Sequence, residues 1–93
     1  MNRFAMLKQA SHEIGIFVVV KILLTETQPD ASIMSVILQS ERGDILAFLT
    51  LSAGSGTQVP GLYQRLYALL LILRFGGRQY AFIEEHILLP DIA

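Results

Sequence analysis

The sequence predicts an α+β fold. An N-terminal helix, a three-stranded antiparallel sheet, a leucine-rich helix and two short strands follow in the order α-β-β-β-α-β-β. Three observations predict it. Apolar residues near the N-terminus recur at helical spacing. Residues 14–25 are rich in β-branched side chains, which favour extended backbone. A leucine-rich run follows Pro60, a residue that suits the first turn of a helix. With 93 residues, the chain (1–93) is predicted to be one domain.

The first predicted element is a helix that begins after Asn2, whose side chain can cap it. Phe4 and Leu7 lie on the apolar stripe of this helix, which makes them candidates for contacting a partner. The helix is expected to end within residues 13–15, because the residues that follow are β-branched.

Residues 14–25 are predicted to form the first strand. Side chains alternate between the two faces of a strand, and both faces are apolar here. Ile14 and Ile16 lie on one face, and Phe17 and Val19 lie on the other. A strand of this kind is covered on two sides or lies at an interface. A helix is the alternative interpretation, since a continuous apolar run does not reveal its period.

A hairpin is predicted for residues 32–40 and 44–52, with a three-residue loop between the two strands. Gly43 would take the left-handed position of that loop. This register pairs Ser40 with Asp44. It also avoids setting two carboxylates opposite each other, which a two-residue loop in the next register would do.

The second predicted helix covers residues 62–75 and ends at Gly76-Gly77. It is apolar on every side, so it has to be buried all round or lie in a membrane. The chain is 53% hydrophobic and 16% charged, and a domain of this size cannot hide so much apolar surface. A second copy is the simplest cover, and six residues are the candidate dimer interface: Tyr63, Leu66, Tyr67, Leu69, Leu70 and Leu73.

Two short strands, 79–84 and 86–89, are predicted after this helix, around a Glu84-Glu85 turn. Residues 84–86 are also the only tight cluster of potential metal ligands, but a metal site needs further ligands. A triad of Ser52, His86 and Asp91 can be assembled, yet no nucleophile-elbow motif accompanies it. The sequence therefore predicts no enzyme, no metal and no cofactor.

Composition narrows the classes of partner. The net charge is −1 and the basic residues are scattered, which argues against a nucleic-acid-binding surface. The longest uninterrupted apolar run has 8 residues, whereas a membrane-spanning helix needs about 18–20. The chain has no cysteine, which excludes disulfides and favours the cytoplasm.

Four segments resemble the class I type III secretion chaperones, a bacterial family. They are FAMLKQASHEIG (4–15), ILAFLTLSAGSGTQVP (45–60), LYQRLYALLLILRFGG (62–77) and QYAFIEEHILLPDI (79–92). The resemblance implies a homodimer joined partly through the helix at residues 62–75. It also implies that each half holds an extended segment of a secreted protein against its first helix and sheet, without catalysis.

The predicted function is a non-catalytic, dimeric protein-binding module that holds an extended segment of a partner protein. The candidate residues for binding this client are Phe4, Leu7, Phe17 and Val19. Two alternatives remain open. The first is a small-molecule-binding domain with an apolar pocket, which Phe17, Phe48 and Tyr80 would line. The second is a small subunit of a larger protein complex.

Overall fold

The computed structural model describes residues 10–27, 29, 31–52 and 57–90. This part of the chain contains five strands and no helix, so the predicted α+β class is wrong and the fold is all-β. The strands close into a barrel in the order β1-β2-β3-β5-β4. Their bounds are β1 Ala10–Thr27, β2 Ala31–Ser40, β3 Gly43–Ser52, β4 Arg65–Phe75 and β5 Arg78–Leu88.

Strand β1 is 18 residues long and pairs with two neighbouring strands. Residues 10–18 pair antiparallel with β4, and residues 18–27 pair antiparallel with β2. Two register shifts in the second half bend the strand around the barrel. The predicted strand at 14–25 is therefore confirmed. Of the predicted N-terminal helix, residues 1–9 lie outside the described residues, and from Ala10 the chain is a strand.

Strand β4 replaces the predicted leucine-rich helix. Its residues alternate between the inside and the outside of the barrel. Leu66, Ala68, Leu70 and Ile72 are buried inside, with relative exposures of 0–6%. Tyr67, Leu69, Leu71 and Leu73 lie on the other face, where they are exposed or half-buried. The prediction failed because both faces of this strand are apolar, so the sequence shows no period of two.

One apolar core fills the barrel, and all five strands contribute to it. Every buried residue of the described strands is hydrophobic. The β1–β4 and β2–β3 ladders place core residues of neighbouring strands opposite each other, for example Phe17 opposite Leu66 and Val36 opposite Ala47. The interior of so narrow a barrel is filled by its own side chains.

The β2–β3 hairpin forms as predicted, but its register differs by one residue. Ser40 pairs with Gly43 rather than with Asp44, and the turn consists of Glu41 and Arg42. Gly43 has a φ of +117°, which a residue with a side chain rarely adopts. A slip of one residue would turn a strand's core face to solvent, so burial of the inward side chains decides the register.

Strand β5 is continuous, which corrects the prediction of two short strands around a turn. Leu70 of β4 pairs with Ile83, and Leu69 pairs with Glu85. Glu84 is therefore the extra residue of a β-bulge, which keeps the strand together where the sequence indicated a turn. On its other side β5 pairs with β3 in parallel, over residues 80–82.

The connector between β3 and β4 packs against β1. Val19 donates its N–H to the Gln64 carbonyl at 3.0 Å, and Tyr63 donates its N–H to the Val19 carbonyl at 2.6 Å. Pro60 is fully buried. Tyr63 has a φ of +64°, in the left-handed region. The two hydrogen bonds to Val19 hold this backbone conformation in place.

Candidate protein-binding surface

Along residues 10–17, one edge of β1 has no described strand beside it. Strand β2 ends at Ser40, and its pairing with β1 begins only at Val18. Residues 10–17 pair with β4 on one side, and no strand among the described residues pairs with the other side. Half of the backbone N–H and C=O groups of a strand point to each side. These residues therefore offer a place for about eight residues of an added strand.

The surface next to this free edge is apolar. Ile14 is 61% exposed and Ile16 is 55% exposed. The ladder sets Ile14 opposite Leu69 and Ile16 opposite Tyr67, and Tyr67 in turn opposite Ile87 of β5. We call these five residues the outer apolar face. Contiguous exposed apolar side chains on a small protein indicate an interaction site.

The β2–β3 turn borders the free edge on its other side. Arg42 Nη1 lies 3.2 Å from Glu13 Oε1, so one ion pair links the turn to β1. The Arg42 side chain is 81% exposed, and exposed ion pairs contribute little to stability. The groove between the turn and β1 has a volume of about 470 Å³. An added strand could displace this ion pair at small cost.

The structure separates the six residues predicted as a dimer interface. Leu66 and Leu70 are in the core and are covered by the chain itself. Tyr67, Leu69 and Leu73 lie on the outside of β4, and Tyr63 is 70% exposed in the connector. The expectation that these residues belong to one helix is wrong, because residues 65–75 form a strand along which side chains alternate between the core and the surface.

Tyr67 and Leu69 are instead brought together with Ile14, Ile16 and Ile87, which the interface prediction omitted. The signal for two of them was present in the sequence, since Ile14 and Ile16 share a face of the predicted first strand. The contact with Ile87 depends on the pairing of β4 with β5, for which no local pattern exists.

The candidate client-binding residues are placed differently. Phe4 and Leu7 lie outside the described residues. Phe17 and Val19 are inside the barrel, with relative exposures of 3% and 0%. A partner on the outside of the barrel cannot reach these two side chains.

A second apolar groove lies on the opposite side of the barrel. It has a volume of about 440 Å³ and is lined by residues that include Leu24, Ile33, Phe48 and Phe82. The rings of Phe48 and Phe82 are 5.6 Å apart between centroids and are tilted by 32°. Exposed aromatic pairs of this kind can receive an apolar group of a ligand.

The pocket predicted from three aromatic residues does not form. Phe17 contributes to a cavity at one end of the barrel, whereas Phe48 lines the groove on the outside. Tyr80 pairs with Leu46 and Leu73 on the outer surface. The three side chains therefore lie in different places.

The potential metal ligands are committed to separate contacts. His12 Nε2 lies 3.0 Å from Glu84 Oε1. His86 donates its Nε2–H to the carbonyl of Gln58 at 2.7 Å. Among the described residues, no group of three histidine, aspartate or glutamate side chains could hold a metal ion. Asp91, the third residue of the triad assembled from the sequence with Ser52 and His86, lies outside the described residues.

Comparison with protein-family models, with curated proteins and with solved structures finds no match to this chain. The described part of the chain has no helix able to cross a membrane.

Proposed function

We propose that this chain is a non-catalytic protein-binding module that takes an extended segment onto the free edge of β1, and that the segment comes from a second copy of the chain. The observation behind the proposal is the half-paired β1. Residues 10–17 pair with no described strand on one side, and the outer apolar face begins beside them.

The physical argument has two parts. Backbone hydrogen bonds to an added strand satisfy groups that the barrel leaves free, and this mode of recognition is common. Covering Ile14 and Ile16 removes exposed apolar area from water. Together the two effects favour a partner that supplies both a strand and an apolar surface.

A second copy supplies both features. Two β1 edges pair antiparallel about a two-fold axis, so each copy contributes the same residues. The apolar side chains beside the edge then extend each other across the interface. The helix-mediated dimer expected from the sequence is replaced by one in which strands join the two barrels.

The test uses the absence of cysteine from the chain. Single cysteines are introduced at positions 12 to 16 in turn, and oxidation then links only separate copies. A disulfide requires Cβ atoms about 3.5–4.5 Å apart, so antiparallel pairing predicts linkage at one or two adjacent positions near the axis. A cysteine in place of Leu23, also exposed on β1, is the control and should stay unlinked.

The mass of the unmodified chain completes the test. Sedimentation at micromolar concentration should give twice the chain mass of 10.3 kDa. A folded monomer at that concentration contradicts the dimer. Equal linkage at all six positions, Leu23 included, would indicate random collision and would contradict the strand pairing.

Single-stranded nucleic acid is a ligand class that the strand order suggests and that the charge of the groove disfavours. A closed five-stranded barrel in which β1 joins β2 and β4 has the arrangement of the oligonucleotide- and oligosaccharide-binding fold. Phe48 and Phe82 could stack on bases. However, the groove around them includes Glu26 and no described lysine or arginine, and such binding depends on basic residues.

The test for this candidate is fluorescence anisotropy with a labelled oligothymidylate at low salt. We expect no binding, because phosphates would meet a carboxylate at the groove. Saturable binding that weakens as the salt concentration increases would contradict the proposed function and favour nucleic-acid binding, because one fold can host different functions.

A further inference from the structure

A row of side chains crosses four neighbouring strands on the outside of the barrel. Leu24 of β1 pairs with Ser35 of β2. Ser35 pairs with Phe48 of β3, and Phe48 pairs with Phe82 of β5. The residues on either side of Phe48 in the chain are buried in the core, so the row lies on the outer face of the sheet.

This row lines the second apolar groove, whose volume is about 440 Å³. Small-molecule sites commonly have volumes of about 300–1,000 Å³. The adjacent row of paired residues on the same face, Glu26, Ile33 and Thr50, lines the groove as well. The groove shares no described lining residue with residues 10–17 or with the outer apolar face. A ligand bound here would therefore be a function beyond the proposed strand pairing.

The groove contains one charged side chain among the described residues, and that charge is negative. Glu26 lines the groove and is exposed. It makes no ion pair with a described residue. The other polar side chains in the described lining are the neutral hydroxyls of Ser35 and Thr50. Because a carboxylate attracts cations and repels anions, the charge of the groove favours a ligand with a positive group.

The two phenylalanines favour the same charge. Phe48 and Phe82 both line the groove, with 5.6 Å between their ring centroids, and Phe82 is 42% exposed. The face of an aromatic ring attracts a cation that lies within about 6 Å of its centroid. The aliphatic part of the lining, Leu24 and Ile33, favours a hydrocarbon group, because such contact removes apolar area from water. The groove therefore combines an apolar surface with two features that attract a positive charge.

We propose that this groove binds a small apolar amine, in which one ammonium group is attached to an aromatic or aliphatic body. The carboxylate of Glu26 pairs with the ammonium group, and the ring of Phe82 contributes a cation–π contact. The apolar body of the ligand lies against Leu24, Ile33 and Phe48. Since none of these residues belongs to the free edge of β1, failure of the proposed dimer would leave this proposal standing.

The experiment is an NMR titration of the ¹⁵N-labelled full chain with 2-phenylethylamine and two matched analogues. 2-Phenylethanol carries the same ring without a charge, and 3-phenylpropanoate carries a negative charge instead. We expect saturable shifts of the backbone amides of Glu26, Phe48 and Phe82 with the amine. The alcohol should bind about 3- to 30-fold more weakly, because it loses an exposed ion pair and a cation–π contact. The carboxylate should bind more weakly still.

Three variants complete the test. Glu26→Gln should weaken binding of the amine by about 2- to 5-fold and leave binding of the alcohol unchanged. Phe82→Leu keeps an apolar side chain but removes the ring, and it should also weaken binding of the amine by about 2- to 5-fold. Glu41→Gln is the matched control, because Glu41 is exposed in the β2–β3 turn and does not line the groove. It should bind the amine like the unmodified chain.

The proposal is overturned if the amine gives no saturable shifts at these amides, or if either analogue binds as tightly as the amine. It is also overturned if the folded Glu26→Gln and Glu41→Gln variants bind the amine equally well. Dilution of the unliganded chain tests a different occupant. If dilution shifts the amides of the groove and leaves those of residues 10–17 unchanged, a second copy covers the groove and the proposal is wrong. Should a variant fail to fold, the comparison of the three ligands on the unmodified chain still decides the outcome.

Discussion

Replacing Ile14 by lysine tests the proposed dimer at its apolar border. Ile14 is 61% exposed, so the isolated barrel does not depend on it for its core. In the proposed dimer the same side chain lies beside the added strand and is covered. Natural proteins place lysine on strand edges to prevent this kind of pairing. Ile14→Lys should therefore dissociate the dimer and leave the barrel folded.

The expected size of the effect follows from the exposed fraction. Complete burial of an isoleucine side chain is worth about 1.5–3 kcal/mol. With 61% of Ile14 available for covering, each copy gains about 1–2 kcal/mol on association. A two-fold dimer contains the site twice, so the loss is about 2–4 kcal/mol, or about 30- to 700-fold in the dissociation constant. Desolvation of the lysine would add to this.

The assay is sedimentation equilibrium over a dilution series, with urea denaturation of the dissociated chain as a check on folding. Leu23→Lys is the matched control, because Leu23 is 46% exposed on the half of β1 that already pairs with β2. It should leave the dissociation constant unchanged. An Ile14→Lys variant that dimerises as tightly as the unmodified chain would refute the reasoning, as would equal weakening by both variants.

Four further predictions concern the barrel and its edge. Leu70→Ala should lower the free energy of unfolding by about 2–5 kcal/mol, because Leu70 is fully buried, whereas Leu69→Ala on the outer face should cost about 1 kcal/mol. Both are measured by urea denaturation below the dimer dissociation constant, and equal losses would contradict the assigned faces. Gly43→Ala should cost more than about 1 kcal/mol because Gly43 has a φ of +117°. Gly15→Ala should be neutral or stabilising by up to about 1 kcal/mol, since no atom lies within 4 Å of the added Cβ, and a clear destabilisation would contradict it. Arg42→Ala should keep or tighten the dimer in sedimentation, and weakening by tenfold would show that the ion pair supports the interface.

Two parts of the fold were predictable from local sequence. β-Branched residues identified the strand at 14–25, and the hairpin was identified from Gly43 and the flanking apolar runs. The exact pairing of the two hairpin strands was not predictable, because a shift of one residue hardly changes the local preference for extended backbone. It changes which side chains enter the core, and only the closed barrel shows which register fills it.

An apolar binding surface was predicted from the sequence, but only some of the residues that form the outer apolar face were identified. From the excess of apolar side chains we predicted that the chain has a partner, and Tyr67 and Leu69 were among the interface residues proposed. Leu66 and Leu70 were proposed with them because, on a helix that is apolar on every side, all four side chains would need a partner to cover them. In the strand they point into the barrel, and Ile14 and Ile16 take their place.

From the sequence we predicted more apolar surface than a 93-residue domain can bury, and extended backbone was preferred over a helix for residues 14–25 and was predicted for the β2–β3 hairpin. Only the folded barrel shows that residues 65–75 form a strand, which side chains fill the core, and which edge of β1 no described strand covers. The physical reason is that a run apolar on both faces satisfies a helix and a strand equally well. The choice depends on backbone hydrogen bonds to β1 and β5, which are distant in the sequence and form only when the barrel closes.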